Sequence, residues 1–107
     1  MTRFIFVVYS SPAEGRDMDY NDWYANRHLN DLLAIPGVVS ARRFKRSDTQ
    51  LPNMAVPIQP YLAIYEIEAV DIQSFQREMA ERGSDGRMPI SAALSKDGLI
   101  ASFWDVL

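Results

Sequence analysis

The chain of 107 residues contains no cysteine. Disulfides, thiolate catalysis and cysteine-bound zinc are therefore excluded. There is one histidine, His28, so a site built from several histidines is excluded within one subunit. A metal would need carboxylates, or ligands from two subunits, and none is expected. The five glycines, at 15, 37, 83, 86 and 98, form neither a GxGxxG turn nor a P-loop. Positive charge is short as well: 11 Lys and Arg against 14 Asp and Glu give a net charge of −3. A nucleic-acid partner has no electrostatic support. The longest apolar run, Phe4 to Tyr9, is far too short to span a bilayer, so no membrane partner is expected. It follows only Met1-Thr2-Arg3, and no small-residue cleavage site comes after it. A signal peptide is not expected, and a cytoplasmic location fits.

What is present is globular: 48% of residues are hydrophobic and 23% are charged. The length suits one domain, residues 1–107, with one ordinary core. Arg3 to Ser10 is rich in β-branched and aromatic residues and reads as a strand. Ser11 to Gly15 reads as a loop. A helix begins near Asp19 as N-cap and ends before Pro36. Val38 to Arg46 reads as a second strand. Val38, Ser40, Arg42 and Phe44 fall on one face; Val39, Ala41, Arg43 and Lys45 fall on the other. Ser47 to Gln59, with Pro52 and Pro57, is a loop. Tyr61 to Glu68 is a third strand, with Tyr61, Ala63, Tyr65 and Ile67 on one face. Asp71 caps a second helix to about Arg82, buried through Ile72, Phe75 and Met79. Gly83 to Gly98 is loop-like, with a short helical turn after Pro89 as an option. Leu99 to Leu107 is the last strand.

The order β-α-β-β-α-β predicts a ferredoxin-like α+β domain: a four-stranded antiparallel sheet with two helices on one face. The first strand is apolar on both faces, with Ile5, Val7 and Tyr9 on one and Phe4, Phe6 and Val8 on the other. The helices cover one face only. The economical cover for the other is a second copy, a homodimer with its sheets face to face.

The run Tyr20-x-x-Trp23-Tyr24-x-x-x-His28-Leu29, followed by Leu32-Leu33-Ala34-Ile35-Pro36-Gly37-Val38-Val39-Ser40-Ala41-Arg42-Arg43-Phe44, resembles the dimeric α+β barrel superfamily. More narrowly it resembles the EthD-like group. The likeness is densest over residues 20 to 44, and the element order extends it to the whole chain. The superfamily hosts polyketide cyclases, lactone isomerases, small monooxygenases and haem-degrading enzymes, so the fold does not choose a function. The resemblance implies a pocket between sheet and helices of one subunit, an acid–base residue working without a cofactor, and His28 as the motif position for it.

At about 100° per residue, Tyr24, His28, Leu32 and Ile35 fall within about 80° of one another. His28 thus points with the apolar stripe of its helix. It is a candidate general base or acid, or else a core histidine bonded to a backbone carbonyl. Tyr24, one turn earlier, and Tyr65, mid-strand, are candidates to polarise a ligand oxygen; buried, either needs a partner, and for Tyr65 an imidazole would serve. Tyr20, Trp23, Leu32 and Phe6 are candidate pocket walls for a planar ligand, with plain core packing as the alternative. Trp23 lies about 100° from Tyr24, which suggests a helix edge or a dimer contact. Arg42 and Arg43 point to opposite faces. Arg42 is the candidate anion anchor, against a salt bridge to Glu66, Glu68 or Asp105. Asp31 is expected in solvent beside Arg27.

The leading expectation is a cofactor-independent enzyme. It would carry out proton-transfer isomerisation, cyclisation or lyase chemistry on a hydrophobic, aromatic or ketide-like small molecule. Two alternatives stand beside it: a non-catalytic binding protein of a catabolic operon, and a cofactor-independent monooxygenase. Haem degradation, with His28 as axial ligand, is a further option.

Overall fold

A computed structural model describes residues 1–107. Strands β1 (Thr2–Ser10), β2 (Val38–Lys45), β3 (Tyr61–Ala69) and β4 (Ile100–Asp105) form one sheet in the order β2-β3-β1-β4. Every neighbouring pair is antiparallel. Two helical stretches pack on one face. The first runs through α1 (Asp17–Trp23), a π-turn (Tyr24–His28) and α2 (Leu29–Leu33); the second is α3 (Ile72–Ser84). This is the ferredoxin-like arrangement that the element order predicts.

The core lies between the helices and that sheet face. Phe4, Phe6, Ala63, Tyr65 and Ile67 point into it from the two central strands. Tyr20, Tyr24, Leu32 and Ile35 meet them from the first helical stretch, and Phe75 from α3. Aromatic edges and faces interlock: Phe4 meets Phe75 edge-on at 5.9 Å, and Phe6 stacks on Phe103 at 4.6 Å. Such pairs stabilise by about 0.5–1.5 kcal/mol beyond the area they bury. On the other sheet face lie Ile5, Leu62 and Ile64, with Trp104 59% exposed.

Three details depart from the pattern read in the sequence. The first helix starts at Asp17 rather than Asp19, and no side chain caps it. Asp71, by contrast, caps α3 as expected, its carboxylate accepting from the Ser74 N–H at 2.7 Å. Secondly, β2 carries a bulge at its start: Val38 pairs with Ile67, yet Ser40 pairs with Glu66. The extra residue reverses the alternation. Val38 therefore shares the helix-facing side with Ala41 and Arg43, not with Ser40 and Arg42. Thirdly, the segment after Pro89 makes turns and an isolated bridge from Pro12 to Leu94, but no helix.

Gly37 makes the tight joint between α2 and β2. Its φ is +99°, and a Cβ there would sit 2.7 Å from the Glu68 carbonyl oxygen. Only glycine meets both conditions. That joint, after the helix stop at Pro36, fixes how the first helical stretch lies across the sheet.

Candidate active site

The π-turn sets the geometry of the site. Leu29 N–H donates to the Tyr24 carbonyl, five residues back, where an α-helix would bond four back. In an α-helix, residues five apart point about 140° away from each other. The wider turn brings Trp23 and His28 to the same side. Their rings stack, with centroids 4.5 Å apart and planes at 25°. Tyr24 meets the same imidazole edge-on at 4.9 Å. Trp23 is half-buried there, on the His28 side of the helix.

Below His28 is a cavity of about 230 Å³ between the sheet and the helices. Its wall takes His28, Tyr24 and Leu32 from the first helical stretch, Phe6 and Val8 from β1, and Tyr65 from β3. Met79 of α3, Met88, Ile90, Leu94, Leu99 and Ala101 complete it. Ile90 and Leu99 are each more than 40% exposed and mark the mouth. A dry apolar cavity of about 150 Å³ accepts benzene; this one has room for a larger planar molecule of one or two rings.

The polar groups in that wall are few. His28 Nδ1 is buried and has no hydrogen-bond partner. Burial lowers the His28 pKa from 6.5 to about 4, with the nearby Asp31 carboxylate acting weakly in the opposite sense. The imidazole is therefore neutral at physiological pH and able to accept a proton. Asp31 bonds to Arg27 at 2.9 Å, as the helical spacing suggests, but its side chain is only 15% exposed and not in open solvent as expected. The Tyr24 and Tyr65 hydroxyls lie 3.2 Å apart. Tyr65 thus finds its partner in a phenol rather than in the imidazole. Burial pushes the Tyr24 phenol up to about 12, and pushes Tyr65 up further, the neighbouring Tyr24 adding to it.

Of the residues singled out in the sequence, His28, Tyr24, Tyr65, Leu32 and Phe6 line the cavity. Tyr20 is fully buried behind it, its hydroxyl against that of Ser10 at 2.5 Å. Trp23 backs His28 and donates from Nε1 to the Pro89 carbonyl. Arg42 is not in the cavity. The β2 bulge leaves it exposed on the far sheet face, over the Phe44 ring at 5.2 Å and without an ion pair to Glu66, Glu68 or Asp105. Arg43 is the inward arginine, bonded through Nη2 to Asn21 Oδ1 at 2.8 Å.

The sequence reading missed the wall supplied by residues 88–101. The signal available was a set of apolar residues, Met88, Ile90, Leu94 and Leu99, inside a segment that its glycines and serines mark as a loop. That segment is fastened to its surroundings. Arg27 donates to the Arg87 carbonyl, Ala13 N–H to the Ala93 carbonyl at 2.6 Å, and Gln59 to the Gly98 carbonyl at 2.6 Å. No group of acidic or histidine side chains in the structure is placed to hold a metal ion.

No family model matches the chain, and no curated protein matches it in sequence. Solved structures do match in shape. SnoaB, a cofactor-independent oxygenase from Streptomyces nogalater, superposes with a TM-score of 0.67 at 16% identity, covering 99% of this chain and 94% of that one. An EthD-like protein from Ralstonia eutropha JMP134 gives 0.64 at 18% identity, over 100% and 95% of the two chains. A dimeric ferredoxin-like protein from Thermobifida fusca YX gives 0.61 at 12% identity, over 98% and 92%. The chain has the ferredoxin-like fold, which it shares with these proteins.

Proposed function

We propose that the protein is a small enzyme that moves a proton on a hydrophobic, aromatic or ketide-like molecule without a cofactor. The observation that carries this reading is His28: a neutral imidazole with an unpartnered Nδ1, in the wall of an apolar cavity. Such a base can take a proton from a phenol or from a carbon beside a carbonyl. Tyr24 or Tyr65 polarises the oxygen on which charge then develops. Leu32 and Phe6 form the apolar wall, and Trp23 and Tyr20 hold the helix that carries the base. The resulting carbanion can be reprotonated elsewhere (isomerisation), or attack within the molecule (cyclisation), or expel a group (lyase cleavage). His28→Ala is expected to lower turnover roughly 10² to 10⁴-fold. Unchanged turnover would overturn the reading.

The likeness to a cofactor-independent oxygenase over 99% of the chain favours one second reading, an oxygenase of the same kind. Its first step is the same proton removal; the carbanion then reduces dioxygen instead of being reprotonated. Oxygen uptake with substrate and no added cofactor separates the two. In either case the protein works as a cytoplasmic homodimer. The apolar face with Ile5, Val7, Leu62 and Ile64 supports a partner sheet, and the Thermobifida fusca neighbour is described as dimeric.

A further inference from the structure

Arg43 enters the helix-facing side of the sheet and forms no ion pair. Its guanidinium carbon sits 4.7 Å from the centre of the Tyr24 ring, 5.5 Å from Tyr61 and 5.6 Å from Tyr20. Asn21 fixes it there. One end of that amide accepts from Arg43, and the other donates to the Tyr61 hydroxyl at 3.1 Å. A partly buried cation without a carboxylate is costly to keep. Here its counterpart is a ring of phenols, the nearest of which belongs to the cavity wall.

We propose that Arg43 is a positioning residue of the cavity: its unpaired guanidinium, seated against the Tyr24 ring, orders the hydroxyl pair so that Tyr65 donates to Tyr24 and Tyr24 donates to a ligand oxygen. The inference rests on the cavity being the ligand site. A cation at a ring face stabilises negative charge growing on that phenol. Tyr24 is therefore the member of the pair better suited to donate a hydrogen bond to a ligand oxygen. The titratable and charged groups around it agree. Tyr20 and Tyr24 face Arg43 from the first helical stretch, and Tyr61 from β3; Tyr65 lies beyond Tyr24, and no acidic side chain pairs with the guanidinium. Burial raises Tyr65 further than Tyr24, and Arg43 acts against that rise in both. The arrangement suits a ligand whose oxygen becomes a phenolate or an enolate.

4-Nitrophenol tests this directly, since it is a neutral single ring whose phenolate is coloured. At a fixed pH near its own pKa, the bound phenolate-to-phenol ratio is read by absorbance in the purified full-length protein. Arg43→Met is expected to lower that ratio roughly three- to tenfold, the effect of removing a nearby opposite charge. Arg43→Lys is expected to restore part of it. In a Tyr24→Phe background, Arg43→Met is expected to change the ratio little. If Arg43→Met does not fold, Asn21→Ala frees the guanidinium and is expected to shift the ratio in the same direction. A bound ratio indifferent to these changes at Arg43 or Asn21 would overturn the inference while leaving the cavity as a ligand site. Failure of 4-nitrophenol to bind the wild-type protein would overturn both.

Discussion

The indole of Trp23 lies flat against the imidazole of His28, with centroids 4.5 Å apart, although the two residues are five apart in one continuous helical stretch. The π-turn between them makes this possible. Single π-turns often occur at functional sites, because the extra residue re-aims side chains that an α-helix would splay. Here it turns one face of the imidazole to the indole, and His28, with Nδ1 buried and unpartnered, lines an apolar cavity.

Trp23 therefore controls how dry His28 is. Trp23→Ala is expected to raise the His28 pKa from about 4 toward 6.5, by about one pH unit or more. It also removes the bond from Nε1 to the Pro89 carbonyl. NMR titration of the single histidine reads the shift without ambiguity; an unchanged midpoint would show that the stack does not keep His28 dry.

The buried imidazole also ties stability to pH. Folding depresses its pKa from 6.5 to about 4. Between those values the unfolded chain holds the proton and the native chain does not, so acid favours unfolding. Its full contribution is present above 6.5 and is lost as pH falls toward 4, a change of about 3 kcal/mol. Denaturant titrations across this range are expected to show that loss in the wild type and not in His28→Leu. Parallel pH dependences in the two proteins would contradict it.

The uncovered sheet face carries the dimer proposal. Ile64 sits at its centre, between Val7 and Arg42 in register. A second cation there, beside Arg42, would be buried without a partner in a face-to-face pair, at a cost of several kcal/mol. Ile64→Arg is expected to convert a dimer into a folded monomer in sedimentation experiments. A monomeric wild type would remove the proposal.

Much of the fold is legible in the sequence because it rests on local signals. Tyr61, Ala63, Tyr65 and Ile67 alternate cleanly, and Asp71 announces α3 with its own carboxylate. Two departures each depend on one inserted residue. The β2 bulge follows two valines that look alike, and it decides that Arg43 rather than Arg42 turns inward. The π-turn leaves no mark in the apolar period, so the stack of Trp23 on His28 does not follow from reckoning at 3.6 residues per turn. The site is legible where a stripe carries it, at Tyr24, His28 and Leu32. It is not legible where an irregular segment closes it, at Met88 and Leu94, because such a segment has no period to read.

The central claim is that neutral His28 takes a proton from a molecule in the cavity. Hydrogen–deuterium exchange at the carbon acid of 2-tetralone, a neutral two-ring ketone, tests it most directly. Followed by NMR in deuterated buffer, the wild-type protein should speed exchange, and His28→Ala should lose roughly 10² to 10⁴-fold of that acceleration. Exchange no faster than in buffer while the ketone is bound, or equal in the wild type and His28→Ala, would contradict the account.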